Sequence, residues 1–136
     1  MQFSMGCKDM RTIKFRGKDC ANEWVYGDLI HKRHDPGEVY IQDEKGLGSD
    51  VPLETVGQFT GLLDKDGKEI YEGDILEVTP TNGVTHSCVV NMCNHGYWSI
   101  AFNIHEKVVL GYVDRDKIRI IGNIYDNHDL LKGGTL

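Results

Sequence analysis

The chain has 136 residues, 40% of them apolar, and a net charge of −6. The apolar share is enough for a compact core, yet no run approaches the ~20 apolar residues of a membrane-spanning helix. So acidic a balance argues against generic nucleic-acid binding, which draws on clustered Lys and Arg. The charge is uneven: residues 1–33 carry +3, residues 34–83 carry −9 and the remainder is neutral. Met1–Met10 lacks the apolar stretch of a secretory signal, so the expected location is cytoplasmic. In that compartment Cys7, Cys20, Cys88 and Cys93 are expected as free thiols.

In chain order, residues 1–9 show no periodicity and read as a disordered leader. Arg11–Arg16 alternates polar and apolar residues, the pattern of a half-buried strand ending at Gly17. Glu23–Ile30, rich in aromatic and branched side chains, is a second strand, and Val39–Ile41 a third. Asp35-Pro36-Gly37 marks a turn between them. Lys45–Asp50 reads as a polar, Gly-rich loop. Pro52–Val56 is expected as one helical turn, followed by a strand over Val56–Leu63. Asp64–Lys68 is a strong turn, with Gly67 free to take positive φ. Further strands are expected at Ile75–Thr79, Thr85–Asn91, Tyr97–Asn103, Lys107–Tyr112 and Ile118–Ile124. A short terminal helix capped by Asp126 or Asn127 runs through Leu131.

Short strands at such spacing predict a mainly β protein, a sandwich or small barrel. Two stretches repeat: Glu23-Trp24-Val25-Tyr26-Gly27-Asp28-Leu29-Ile30 and Glu69-Ile70-Tyr71-Glu72-Gly73-Asp74-Ile75-Leu76. Each follows a Gly-Lys pair (Gly17-Lys18, Gly67-Lys68). Each precedes a similar block, Val56-Gly57-Gln58-Phe59 or Ile121-Gly122-Asn123-Ile124. This divides the chain into an N-terminal β unit over 10–63 and a C-terminal one over 64–136. Units this small are marginal alone, so they are expected to pack together or to assemble with other chains. In both copies Gly permits a sharp bend and Asp bonds nearby amides to fix it.

Residue types capable of chemistry are present without the spacing that chemistry needs. His86, Cys88, Cys93 and His95 are good zinc ligands. On one continuous strand, however, Cys88 and Cys93 fall on opposite faces, so Cys88 is expected in the core and His95 in a solvated loop. Asp64-x-Asp66-Gly67 opens like a calcium loop, but Gly73 stands where a bidentate Glu belongs, so a hairpin turn is the better reading. Asp28 and Asp74 form a conceivable acid–base pair whose equivalent repeat positions favour a shared structural role. Nucleophile elbows, Walker loops and dinucleotide fingerprints are absent. Arg11, Lys14, Arg16 and Lys18 make the one basic stretch, and alternation with Ile13 and Phe15 assigns those cations to a strand's solvent face. Most aromatic side chains are expected to fill the core.

Met10–Lys18, Trp24–Ile30, Thr55–Leu62 continuing through Asp64–Ile75, and Ile121–Tyr125 together resemble the YopX family of phage and prophage proteins. The resemblance covers roughly residues 10–132. It implies two SH3-like β-barrel units in tandem, an origin in a phage or integrated element, a bacterial cytoplasm and no enzymatic activity. The function expected is that of a non-enzymatic protein-interaction or assembly module, homo-oligomeric or bound to a host or phage protein. The alternative is a nucleic-acid-binding accessory protein. No catalytic, cofactor-binding or metal-binding residue is assigned, and no cofactor or membrane association is expected.

Overall fold

A computed structural model describes residues 12–35, 37–103 and 106–132. The leader expected over residues 1–9 lies outside them, as does Arg11. Among the described residues, eleven strands form two antiparallel sheets. The first sheet comprises β1 (Phe15–Lys18), β2 (Trp24–His31), β3 (Glu38–Gln42), β4 (Gly48–Pro52), β5 (Gly57–Leu63) and β6 (Glu69–Tyr71), in the order β4-β3-β2-β1-β5-β6. The second comprises β7 (Asp74–Val78), β8 (His86–Met92), β9 (Trp98–Asn103), β10 (Glu106–Val109) and β11 (Ile118–Asn123), in the order β10-β9-β8-β7-β11.

The mainly β reading holds; the closed barrels do not. Each sheet has two end strands, so neither closes on itself. In the first sheet β4 curls over β1 through side chains, with Val51 packed so tightly on Gly17 that an added Cβ would lie 2.8 Å from it. No ladder of backbone bonds joins β4 to β1, and closure requires one. The terminal helix is a single turn, Asp129–Lys132. No helix among the described residues is long and apolar enough to cross a membrane.

Four of the hairpins are built on one turn. In Asp19–Glu23, Asp43–Leu47, Asp64–Lys68 and Cys93–Tyr97, the first residue's N–H donates to the fifth residue's carbonyl, and the fourth residue's N–H donates back to the first. Each Asp also accepts, through Oδ1, the N–H groups of the third and fifth residues at 2.9–3.0 Å. The fourth position takes positive φ and holds Asn22, Gly46, Gly67 or Gly96, since that conformation suits Gly and Asn. This turn claims residues only as far as Leu47, so β4 starts at Gly48 inside the stretch expected to be loop.

Both cores are aliphatic. The smaller holds Val39, Ile41 and Val51, with Phe15, Val25, Leu29 and Val56 against them. The larger is built on Ile70, Leu76, Val78, Cys88, Val90, Ile100, Leu110 and Ile118. Among the aromatics, Phe59 and Tyr71 are buried, whereas Tyr26, Tyr97, Tyr112 and Tyr125 are exposed. Ile, Leu and Val fill both cores, so the expectation of an aromatic interior fails.

The sheets meet at the β6–β7 turn. β6 pairs with β5, so the first sheet runs past Leu63 and through the Asp64 turn. Glu72 N–H then donates to Gln58 O, Gly73 N–H to Val90 O, and Ile124 N–H to Gly73 O, at 2.9–3.0 Å. One turn thereby bonds to β5, β8 and the segment after β11.

Candidate functional site

The apolar residues of β1 face the small core: Gly17 lies on Val51 and Phe15 packs at its edge. Alternation therefore sets Lys14, Arg16 and Lys18 on the opposite face, as the pattern predicts. That face is not solvent. The β6–β7 turn and the segment after β11 cover it, leaving Arg16 6% and Lys18 7% exposed, while Ile13 is exposed instead. The assignment to a solvent face is overturned for Arg16 and Lys18, which Asp74 in the β6–β7 turn and Asp126 after β11 help to bury, whereas Lys14 stays part-exposed beside Glu69 of β6.

A cleft of about 550 Å³ opens where these elements converge. On its floor Arg16 Nη2 donates to Asp74 Oδ1 at 2.8 Å, and the guanidinium carbon lies 4.3 Å from the Trp24 ring centroid and 4.9 Å from that of Tyr71. Arg16 Nε is buried with no acceptor; the two rings on its guanidinium supply only weak π contacts. The second oxygen of Asp74 accepts the Tyr71 N–H at 2.7 Å. Burial pushes the Asp74 carboxyl above its ordinary range, against the pull of Arg16 and that N–H. Burial likewise raises the Tyr71 phenol, which donates to Glu69 Oε1 at 3.1 Å.

Two more ion pairs flank this floor. Lys14 Nζ lies 2.8 Å from Glu69 Oε2, and Lys18 Nζ is bonded to Asp126 Oδ1. Asp126 Oδ2 also accepts from Trp24 Nε1 at 3.0 Å and Asn123 Nδ2 at 3.1 Å. The Lys18 bond holds the Asp126 carboxyl below the usual range. Each carboxylate lining the cleft thus has a cation, while Lys68 at its mouth has no ion pair among the described residues.

The two Gly-Asp copies part company here. Gly73-Asp74 is a turn with Gly73 at φ +91°, and its Asp is buried. Gly27-Asp28 lies within continuous β2, with Gly27 opposite Phe15 and Asp28 opposite Gln42. Asp28 is exposed. Gly27 serves a close approach, since a Cβ there would lie 2.0 Å from the Gln42 carbonyl. The shared structural role expected from the repeat is therefore wrong: similar sequence is used once as a corner and once as strand.

Asp64 and Asp66 sit in a hairpin turn, as the sequence indicates. Asp64 is fully buried, and its Oδ2 reaches across to accept the N–H of Ile120 on β11 at 3.1 Å. Burial alone would raise its pKa, but the N–H donors of Ile120, Lys68 and Asp66 overcome it and hold the carboxyl low. Of the four zinc-type ligands, His86 stacks on Phe102 at 4.4 Å, and Cys88 is core, its thiol pushed up to about 11 by burial. Cys93 heads the fourth hairpin turn, and His95 is exposed within it. No three His, Cys, Asp or Glu side chains among the described residues converge as a metal site. That Lys18, Tyr71 and Asp126 share one cleft is not legible in the sequence, because the contacts that assemble it span 58 and 108 residues, far beyond any local pattern.

The family model for YopX protein matches residues 14–132. The chain belongs to the YopX family. The crystal structure of protein EF1440 from Enterococcus faecalis is similar over 90% of this chain and 99% of that chain, with a TM-score of 0.57 and 22% identity. At that identity the likeness concerns the fold. No curated protein matches the chain. The family match begins at Lys14 and ends at Lys132, and so takes in every element that lines the cleft.

Proposed function

We propose that this YopX family member is a non-enzymatic interaction module of phage or prophage origin, acting in the bacterial cytoplasm on a protein partner or on further copies of itself. The observation that carries the reading is how the cleft uses its charges. Asp74, Glu69 and Asp126 are each committed to a cation and to a further donor, and general acid–base work needs such a group free to exchange a proton with a substrate. What the cleft offers is a shaped surface of aromatic rings and fixed charge. Tandem SH3-like units remain part of this proposal as the ancestry of the two open sheets.

Light scattering on the purified protein, with a pull-down from host cells carrying the phage or prophage, tests the reading. Assembly or a specific partner is expected; a strict monomer that captures nothing counts against it. The second reading, nucleic-acid binding, draws on Trp24 and Tyr26 beside Lys14 and Arg16, because rings and cations together suit single strands. Both cations are already paired. Labelled single strands that fail to bind at about 50 mM salt remove that reading.

A further inference from the structure

A second hollow, of about 380 Å³, lies between β5, the β8–β9 hairpin and the end of β10. Leu62 and Trp98, both packed against the larger core, line it. Met92 and Tyr97 at its rim are 43% and 41% exposed. None of its ten lining residues is charged, although 26% of the chain is. Large side chains left bare around an uncharged hollow mark a surface that an apolar group covers.

The chain carries a matching segment next to this hollow. Phe59 N–H of β5 donates to Lys14 O at 2.9 Å, and β1 pairs with β5 only at Gly57 and Gln58. Beyond Phe59, β5 runs on to Leu63 with no strand on its β1 side among the described residues. Residues 1–11 thus join the fold beside the strand that walls the hollow. An extended chain spans about 3.3 Å per residue, so the nine residues from Phe3 to Thr12 reach up to about 30 Å, far more than the width of a hollow of this volume.

Composition agrees with reach. Met1–Cys7 has no charged side chain and contains Met1, Phe3, Met5 and Cys7, so placing it in the hollow buries no unpaired charge. Met side chains are adaptable enough to fill an irregular gap. A tethered segment also keeps an advantage over any separate chain, which loses translational freedom on docking.

We propose that Met1–Cys7 folds back into this hollow, seating Phe3 and Met5 against Leu62, Met92 and Trp98, so that the chain covers its own apolar surface. The inference stands apart from the cleft and from the interaction reading above.

The test replaces Phe3 in the full chain with photoreactive p-benzoylphenylalanine and irradiates an equal mixture of isotope-labelled and unlabelled protein. Peptide mapping is expected to find position 3 joined to Leu62, Met92, Tyr97 or Trp98 within one copy. A second measurement reads the wall itself, in a Trp24→Phe background where Trp98 is the sole tryptophan. There Phe3→Asp should shift Trp98 emission to longer wavelength and raise its quenching by acrylamide. Val84→Asp, the same charge change at an exposed side chain outside the lining, should leave both unchanged, and far-ultraviolet circular dichroism verifies the folds. The proposal is overturned if position 3 cross-links elsewhere or not at all, or if Trp98 responds alike to the two Asp substitutions. Cross-links only between labelled and unlabelled copies assign the hollow to a second copy and overturn it too. So does a photoreactive group at Tyr97 that captures a host protein in cells and never joins Met1–Cys7.

Discussion

Asp64 shows what one buried carboxylate does in a small β protein. It caps its own hairpin and reaches β11, so Asp64→Ala strands the N–H groups of Asp66, Lys68 and Ile120. Each stranded buried donor costs about 1–3 kcal/mol, and part of the hairpin is open to water, so a net loss of about 2–4 kcal/mol is expected in urea unfolding. The same residue sets an acid limb. Its folded pKa lies below the ordinary value, so its contribution is complete above that value and disappears as pH falls through the folded pKa. Asp126 acts in the same direction; Asp74, raised by burial, acts in the opposite one. Asp64→Asn should therefore flatten the fall in melting temperature below about pH 4, and an unchanged acid limb would refute the assignment. The turn around Asp64 was legible from its residues. Its bond to Ile120 was not, because nothing local marks which distant amide a buried oxygen will meet.

At the scale of elements, the recurring hairpin turn makes its own prediction. Three copies use an Asp oxygen at 2.9–3.0 Å, whereas Cys93 offers sulfur to the His95 N–H at 3.4 Å. Burial opposes ionisation of that thiol, but the N–H groups of Tyr97 and His95 still draw its pKa down. An aspartate is the stronger acceptor for the same donors, so Cys93→Asp is expected to raise the melting temperature, by about 2–4 °C, on a differential scan at neutral pH. The spacing that unites these turns, an acceptor followed three residues later by Gly or Asn, is visible in the chain at Asp19, Asp43, Asp64 and Cys93. The Gly-Asp repeat overshadowed it, although only one of those copies bends. Turn chemistry depends on the acceptor and the positive-φ residue three positions on. Resemblance between strands does not report it.

For the molecule as a whole, Arg16 and Asp74 join β1 of one sheet to β7 of the other across a floor closed to water. Removing one member leaves a buried, uncompensated charge, so Arg16→Met or Asp74→Ala should each cost about 3–5 kcal/mol, and the double substitution much less than their sum. Additive losses in that cycle would show that the two charges do not depend on each other. Because backbone bonds and this pair tie the first sheet to the second, and the Lys18–Asp126 pair ties β1 to the segment after β11, unfolding monitored separately by Trp24 and Trp98 fluorescence, in single-Trp variants, should follow one transition. Local pattern was sufficient for the strand-rich class, for most strand positions and for the face of β1 on which its cations lie, because alternation and turn chemistry act within a few residues. Which residues cover that face, that the sheets stay open, and that Arg16, Trp24, Tyr71, Asp74 and Asp126 form one cleft were decided by contacts between segments far apart in the chain, and side-chain burial is settled only once those segments meet.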